Sequence, residues 1–131
     1  VKDGGQILTA TFGSGRGGNL TVRATDSVEI IGTSGTNPPV VNSLSGRAAS
    51  LTAIAGQNST GNAGSVTITT GQLTIRDGGS ATVANLALTG EAGNLVVNAD
   101  SIVLLRGGSL TAETTAGDRG NITINSKDIV I

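Results

Sequence analysis

Between Leu20 and Arg23, Val66 and Thr69, and Ile122 and Asn125, apolar and polar residues alternate, and Leu95 to Asn98 keeps the same phase with Val96 at the polar position. A period of two is the mark of a half-buried strand, and no stretch of the chain carries the 3.6-residue period of an amphipathic helix. A second set of strand-like pieces follows at matching offsets, SVEII from Ser27, QLTIR from Gln72, SIVLL from Ser101 and DIVI from Asp128. A third set is QILTA from Gln6, SLTAI from Ser50, SATVA from Ser80 and SLTAE from Ser109. The pattern therefore predicts an all-β chain of short strands.

The strands are ordered by a repeat. G-x-x-G-[Asn/Ser]-apolar-x-apolar occurs as GRGGNLTV from Gly15, GNAGSVTI from Gly61, GEAGNLVV from Gly90 and GDRGNITI from Gly117, at spacings of 46, 29 and 27 residues. GSGRGG at 13–18 matches the G-x-G-x-x-G of a dinucleotide turn, but such a turn must open a helix, and here a strand pattern follows. The match is one copy of a structural corner, kept at Gly15, Gly18, Asn19, Gly61, Gly64, Gly90, Gly93, Asn94, Gly117, Gly120 and Asn121. Gly13, Arg16 and Gly17 are outside the repeated positions and are expected to be free.

Three strands per unit of about 27 to 29 residues, none able to bury both faces alone, predict a right-handed parallel β-helix. Its inward columns would be Leu20, Val66, Leu95 and Ile122, then Val22, Ile68, Val97 and Ile124. Val28, Leu73, Ile102 and Ile129 would continue on a second sheet, and smaller residues such as Ala53, Ala81 and Ala112 would line a third. Asn19, Ser65, Asn94 and Asn121 would form a polar ladder at the corner. Residues 1–131 form one segment, expected to be a crop of a longer solenoid because VKDGG at the start aligns with IRDGG from Ile75. Residues 33–49 are an inserted loop, and loops on a rigid scaffold are where recognition is usually carried. Asn37, Pro38, Pro39, Val40, Val41 and Arg47 are its candidate recognition side chains.

Composition narrows the chemistry. Without His or Cys, the chain lacks the usual ligands of transition metals and the partners of serine–histidine or cysteine–histidine catalysis. No cofactor is expected. A net charge of −1 and a single aromatic residue leave neither a basic stripe nor stacking platforms for nucleic acid. Direct membrane insertion is not expected, since no apolar run reaches the length of a spanning helix.

Carboxylates remain as candidate chemistry, and glycoside cleavage needs two of them on one exposed face. Asp26 and Asp100 share a column with Gly71 between them and lack a third member, while Asp77 with Arg106, and Asp100 with Lys127, read as ion pairs between adjacent repeats. An enzyme is therefore not expected, though a polysaccharide lyase or hydrolase is the alternative reading. Outward threonines, Thr21 with Thr67 and Thr123, or Thr52 with Thr82 and Thr111, raise ice binding as a weaker one; strand propensity alone would put them there.

The segments GGNLTVRATDSVEIIGTS, GNAGSVTITTGQLTIRDGGSATV and GNLVVNADSIVLLRGGSLTAET, with GNITINSKDIVI, resemble the repeat region of filamentous haemagglutinin-like exoproteins of two-partner secretion, the cyanobacterial members in particular. The resemblance implies a secreted or cell-surface structural and adhesive segment. It implies export through an outer-membrane transporter, and a cell-surface glycan or protein receptor as partner besides the neighbouring coils. Asn37-Pro38 is a lone dipeptide and does not stand for the Asn-Pro motifs of a secretion domain. No Arg-Gly-Asp tripeptide is present.

Overall fold

The strand patterns become ten strands among the described residues, which are 1–32, 48–117 and 120–131 of the computed structural model. They are β1 (Gln6–Thr11), β2 (Leu20–Arg23), β3 (Ser27–Ile31), β4 (Ser50–Ala55), β5 (Val66–Arg76), β6 (Ser80–Asn85), β7 (Leu95–Leu105), β8 (Ser109–Thr114), β9 (Ile122–Asn125) and β10 (Asp128–Val130). All pair in parallel, each with the strand at the same place in the next repeat. Leu20 lies opposite Val66, Val66 opposite Leu95, and Leu95 opposite Ile122.

The expected three-strand coil of a right-handed β-helix is overturned. The strands make two sheets, one of four in the order β1-β4-β6-β8 and one of six in which β5 and β7 are central. The difference lies at Gly71 and Asp100, where the repeat had suggested a corner between the first and second strand pieces. In β5, Val66, Ile68 and Thr70 are buried, and then Leu73 and Ile75; in β7 burial passes from Ala99 to Ile102. The alternation slips by one residue, but the ladder does not end. Thr70 pairs with Ala99 and Gln72 with Ser101 on either side of the slip, and the Gln72 N–H donates to Asp26 O at 2.9 Å. A bend absorbed inside one continuous strand thus replaces the corner, and two strand pieces become one 11-residue strand in one sheet.

The corner that does separate the sheets is a tight turn. Asp77 and Gly78 have φ of 56° and 80°, and the Gly79 N–H donates to Arg76 O at 3.0 Å. Lys2–Gly5 and Leu105–Gly108 repeat this arrangement, with φ of 55° and 78° and of 46° and 77° at their central residues. Two successive positive φ values are those of a type I′ turn, which glycine and aspartate accept readily. The third glycine answers a different demand: a Cβ on Gly79 would stand 2.5 Å from Ile30 O, and one on Gly108 would stand 2.1 Å from Ile75 O.

Both sheets contribute to one core. Ile30, Ile68, Ile75, Leu95 and Ile102 come from the six-stranded sheet and Leu51, Ala53, Ala81 and Val83 from the four-stranded one, all fully buried. Each large aliphatic side chain withdrawn in this way stabilises the fold by about 1.5–3 kcal/mol. Ala49, the last residue of the expected loop, precedes β4 and belongs to this core, and its carbonyl accepts the Ser80 N–H at 3.1 Å.

Candidate functional site

Asn37, Pro38, Pro39, Val40, Val41 and Arg47, the recognition side chains expected from the sequence, lie outside the described residues. The corner residues are all described, and they form a contact column between repeats. A Cβ on Gly64 would stand 2.0 Å from Gly18 O, one on Gly93 1.9 Å from Gly64 O, and one on Gly120 2.4 Å from Gly93 O. Gly61 and Gly117 likewise face the carbonyls of Gly15 and Gly90, at 2.1 and 2.0 Å. Each glycine lets the strand above sit on the carbonyl of the glycine below.

The first repeat departs from the expectation. A Cβ on Gly15 would meet no described atom within 4 Å, and one on Gly18 only the Thr9 side chain at 3.6 Å, an ordinary contact. Gly17, expected to be free, is buried; its N–H donates to Asn62 O at 2.9 Å and a Cβ would stand 2.6 Å from Gly64 N. Gly13 has open space around it, as its place outside the repeat implied.

The polar column beside the glycines is a ladder. The Ser65 N–H donates to Asn19 Oδ1 at 2.9 Å, the Asn94 N–H to Ser65 Oγ at 3.1 Å, and the Asn121 N–H to Asn94 Oδ1 at 3.3 Å. Asn125 Nδ2 repeats the motif with Asn98 Oδ1 at 2.8 Å. Asn19, Asn94 and Asn121 occupy exposed corners, whereas Asn98 and Asn125 make their bond within β7 and β9.

Three ion pairs also join one repeat to the next. The Asp77 carboxylate accepts from Arg106 of the next repeat and from its neighbour Arg76, and the hydrogen bond from Arg106 holds it below the usual aspartate range. The same bond raises Arg106. Lys127 Nζ lies 2.8 Å from Asp100 Oδ1, which raises the ammonium, and Lys2 Nζ lies 3.1 Å from Glu29 Oε2, which lowers the carboxyl. Asp100 lines two shallow hollows, one beside Arg23 and one beside Lys127, with Gly71 separating it from the column position of Asp26. The chemistry available there is ion pairing. Among the described residues no three His, Cys, Asp or Glu side chains come together to hold a metal ion.

A feature the sequence reading missed lies on the outer face of the four-stranded sheet. A groove of about 550 Å³ is lined by Leu8, Phe12, Ile54 and Leu86 with the polar side chains of Gln6, Ser50, Thr52, Gln57 and Asn58. Phe12, the one aromatic residue of the chain, is 74% exposed, and its Cδ1 and Cε1 occupy the space where a Cβ on Gly56 would come within 2.5 and 2.7 Å. Gly56 is the seat of the ring. Behind the groove, buried Asn85 accepts the Ala87 N–H at 2.9 Å and donates from Nδ2 to Thr89 O at 3.2 Å, fixing the loop that carries Leu86. The available signal was Phe12 itself, together with Leu8 and Ile54 in the outward phase of their strands. These residues come from successive repeats with no shared motif, so only the pairing of β1 with β4 unites them.

Hence the site is a neutral, partly apolar groove on a scaffold in which Glu29, Asp77 and Asp100 are paired with Lys2, Arg106 and Lys127 from repeat to repeat. No family model, curated protein or solved structure matches the chain.

Proposed function

We propose that the chain is a non-catalytic structural and adhesive segment of a secreted or cell-surface protein, of the kind the filamentous haemagglutinin-like repeats resemble. The observation that carries the reading is the use made of polar side chains. The Asn19–Ser65–Asn94–Asn121 ladder and the Asp77–Arg106 and Asp100–Lys127 pairs each tie one repeat to the next. Such chemistry stiffens a scaffold. Its adhesive contact is assigned to the groove around Phe12, where an exposed ring stands beside amides and hydroxyls with no ionisable group in the lining. That combination suits an uncharged, hydroxyl-rich or amide-rich surface, because rings and amides recognise such groups without paying to desolvate a charge.

The experiment is a combined binding and turnover screen of the purified chain against immobilised glycans and whole cells. Retention that Phe12→Ala reduces, with no product released, is the expected result. Cleavage of any polysaccharide would overturn the reading, as would retention that Phe12→Ala leaves unchanged.

A further inference from the structure

We propose that Asn58 is the acceptor of an N-linked sugar, and that this sugar regulates the groove on whose rim it stands. The acceptor tripeptide, Asn-x-Ser/Thr without proline in the middle, occurs three times in the chain, at Asn19-Leu20-Thr21, Asn58-Ser59-Thr60 and Asn121-Ile122-Thr123. The three are alike in sequence, and the fold separates them.

Asn19 and Asn121 are committed to the ladder. Asn19 Oδ1 accepts the Ser65 N–H, and Asn121 Nδ2, the atom that a sugar would have to join, donates to Asn94 Oδ1 at 3.3 Å. Their third residues, Thr21 and Thr123, lie inside β2 and β9, in register with Thr67 and Val96. A transferase has to take the whole tripeptide into its own site, and a paired strand can follow it there only by giving up ladder hydrogen bonds.

Asn58 belongs instead to the loop between β4 and β5. The Ser59 N–H donates to Gly56 O at 3.0 Å, closing a turn with Gln57 and Asn58 at its central positions, both exposed. Ser59 is buried and its Oγ donates to the same carbonyl at 2.8 Å. The turn is thus anchored from inside, while Asn58 and Thr60, the two side chains the chemistry uses, stay on the surface. Repeats lie on both sides of this loop: the Thr60 N–H donates to Gly13 O at 3.2 Å, and the Leu86 N–H to Ala55 O at 2.9 Å. Asn58 therefore faces outward from the flank of the stack, on a surface loop of the kind that tolerates a bulky addition.

The co-substrate is a sugar carried as its diphosphate ester. Asn58 Nδ2 attacks C1 of that sugar, the bond from C1 to the diphosphate oxygen breaks, and the new bond joins nitrogen to C1. The proton released by the amide passes to a base of the transferase as the diphosphate departs. Thr60 supplies the hydroxyl that the tripeptide requires at its third position. The product places a bulky, hydroxyl-rich group on the rim that Asn58 shares with Phe12, Gln57 and Leu86. There the sugar ring lies against the phenyl ring and closes the groove to other ligands, an effect that rests on the groove being the adhesive contact.

Peptide mapping by mass spectrometry of the chain recovered from the cells that make it is the test. A sugar is expected on the peptide carrying Asn58 and none on those carrying Asn19 or Asn121. In the same cells Asn58→Gln and Thr60→Ala should lose the sugar and Thr60→Ser should keep it, all three folding like the parent because the changes are at exposed side chains. Retention on immobilised neutral glycans should be about fivefold or more stronger for Thr60→Ala than for the glycosylated parent. A bare Asn58, or sugar found as readily on Asn19 and Asn121, would overturn the acceptor assignment. Equal retention of the two chains would overturn the regulation. Retention of neither would sink the adhesive role of the groove and leave the acceptor assignment to the mass map.

Discussion

The middle repeats and the outer ones are built from the same motif and live in different surroundings. Leu95 in GNLVV and Ile122 in GNITI hold one column position, but Leu95 lies between two neighbouring strands and is fully buried, while Ile122 has a strand on one side and is 42% exposed. Gly64 and Gly18 differ in the same way: a Cβ would collide with a carbonyl at the first and would meet only ordinary contact at the second. A repeated residue is thus not a repeated role. What a position contributes depends on whether a strand lies beneath it.

Substitutions in matched pairs separate the two surroundings. The largest difference is expected in the core. Leu95→Ala should cost about 2–5 kcal/mol in chemical denaturation, and Ile122→Ala clearly less, since its side chain keeps much of its surface in water in the dilute protein. Equal losses would mean that the end strand is as well packed as the middle one. Next come the ladders. Asn94→Ala removes the acceptor of the Asn121 N–H and should cost about 1 kcal/mol, against a smaller loss for Asn125→Ala, whose amide is the last member of its ladder.

The charge pairs come third and are read through pH. Arg106 holds the Asp77 carboxyl below its ordinary value, so the folded state binds this proton less readily than the unfolded chain does. The resulting stability is complete above the unfolded-state value near 4 and is lost as pH falls through the lower folded-state value. Asp77→Asn should flatten the fall in melting temperature across that acidic window and leave its shape near neutrality unchanged. Glu29, lowered by Lys2, acts in the same direction. The smallest effect is that of Gly13→Ala, within about 0.5 kcal/mol of zero, because the added methyl meets open space.

Much of the pairing was legible in the sequence. The columns running from Leu20 to Ile122, the Asn–Ser ladder and the Asp77–Arg106 and Asp100–Lys127 pairs follow from aligning the repeats, since parallel strands in register turn sequence offset directly into spatial contact. The division into sheets was not. A slip in alternation at Gly71 or Asp100 reads alike whether the chain turns a corner or bends inside a continuing strand, and only the hydrogen bonds across it tell the two apart. Gly17 was misread for a related reason: it stands at a position the motif leaves open, yet it meets Gly64 N, a motif glycine of the following repeat. The groove around Phe12 was hidden because its residues share a surface and not a pattern.

Gly64, Gly93 and Gly120 are required by the carbonyl beneath them and not by their own backbone, since none of the three has a positive φ. Thermal melting of Gly64→Ala and Gly18→Ala, side by side, is the decisive measurement. Gly64→Ala should lower the midpoint by about 10 °C or more, as overpacking against backbone does. Gly18→Ala should stay within about 3 °C of the parent chain, or exceed it slightly through a less flexible unfolded state. Equal losses at the two glycines would contradict the claim.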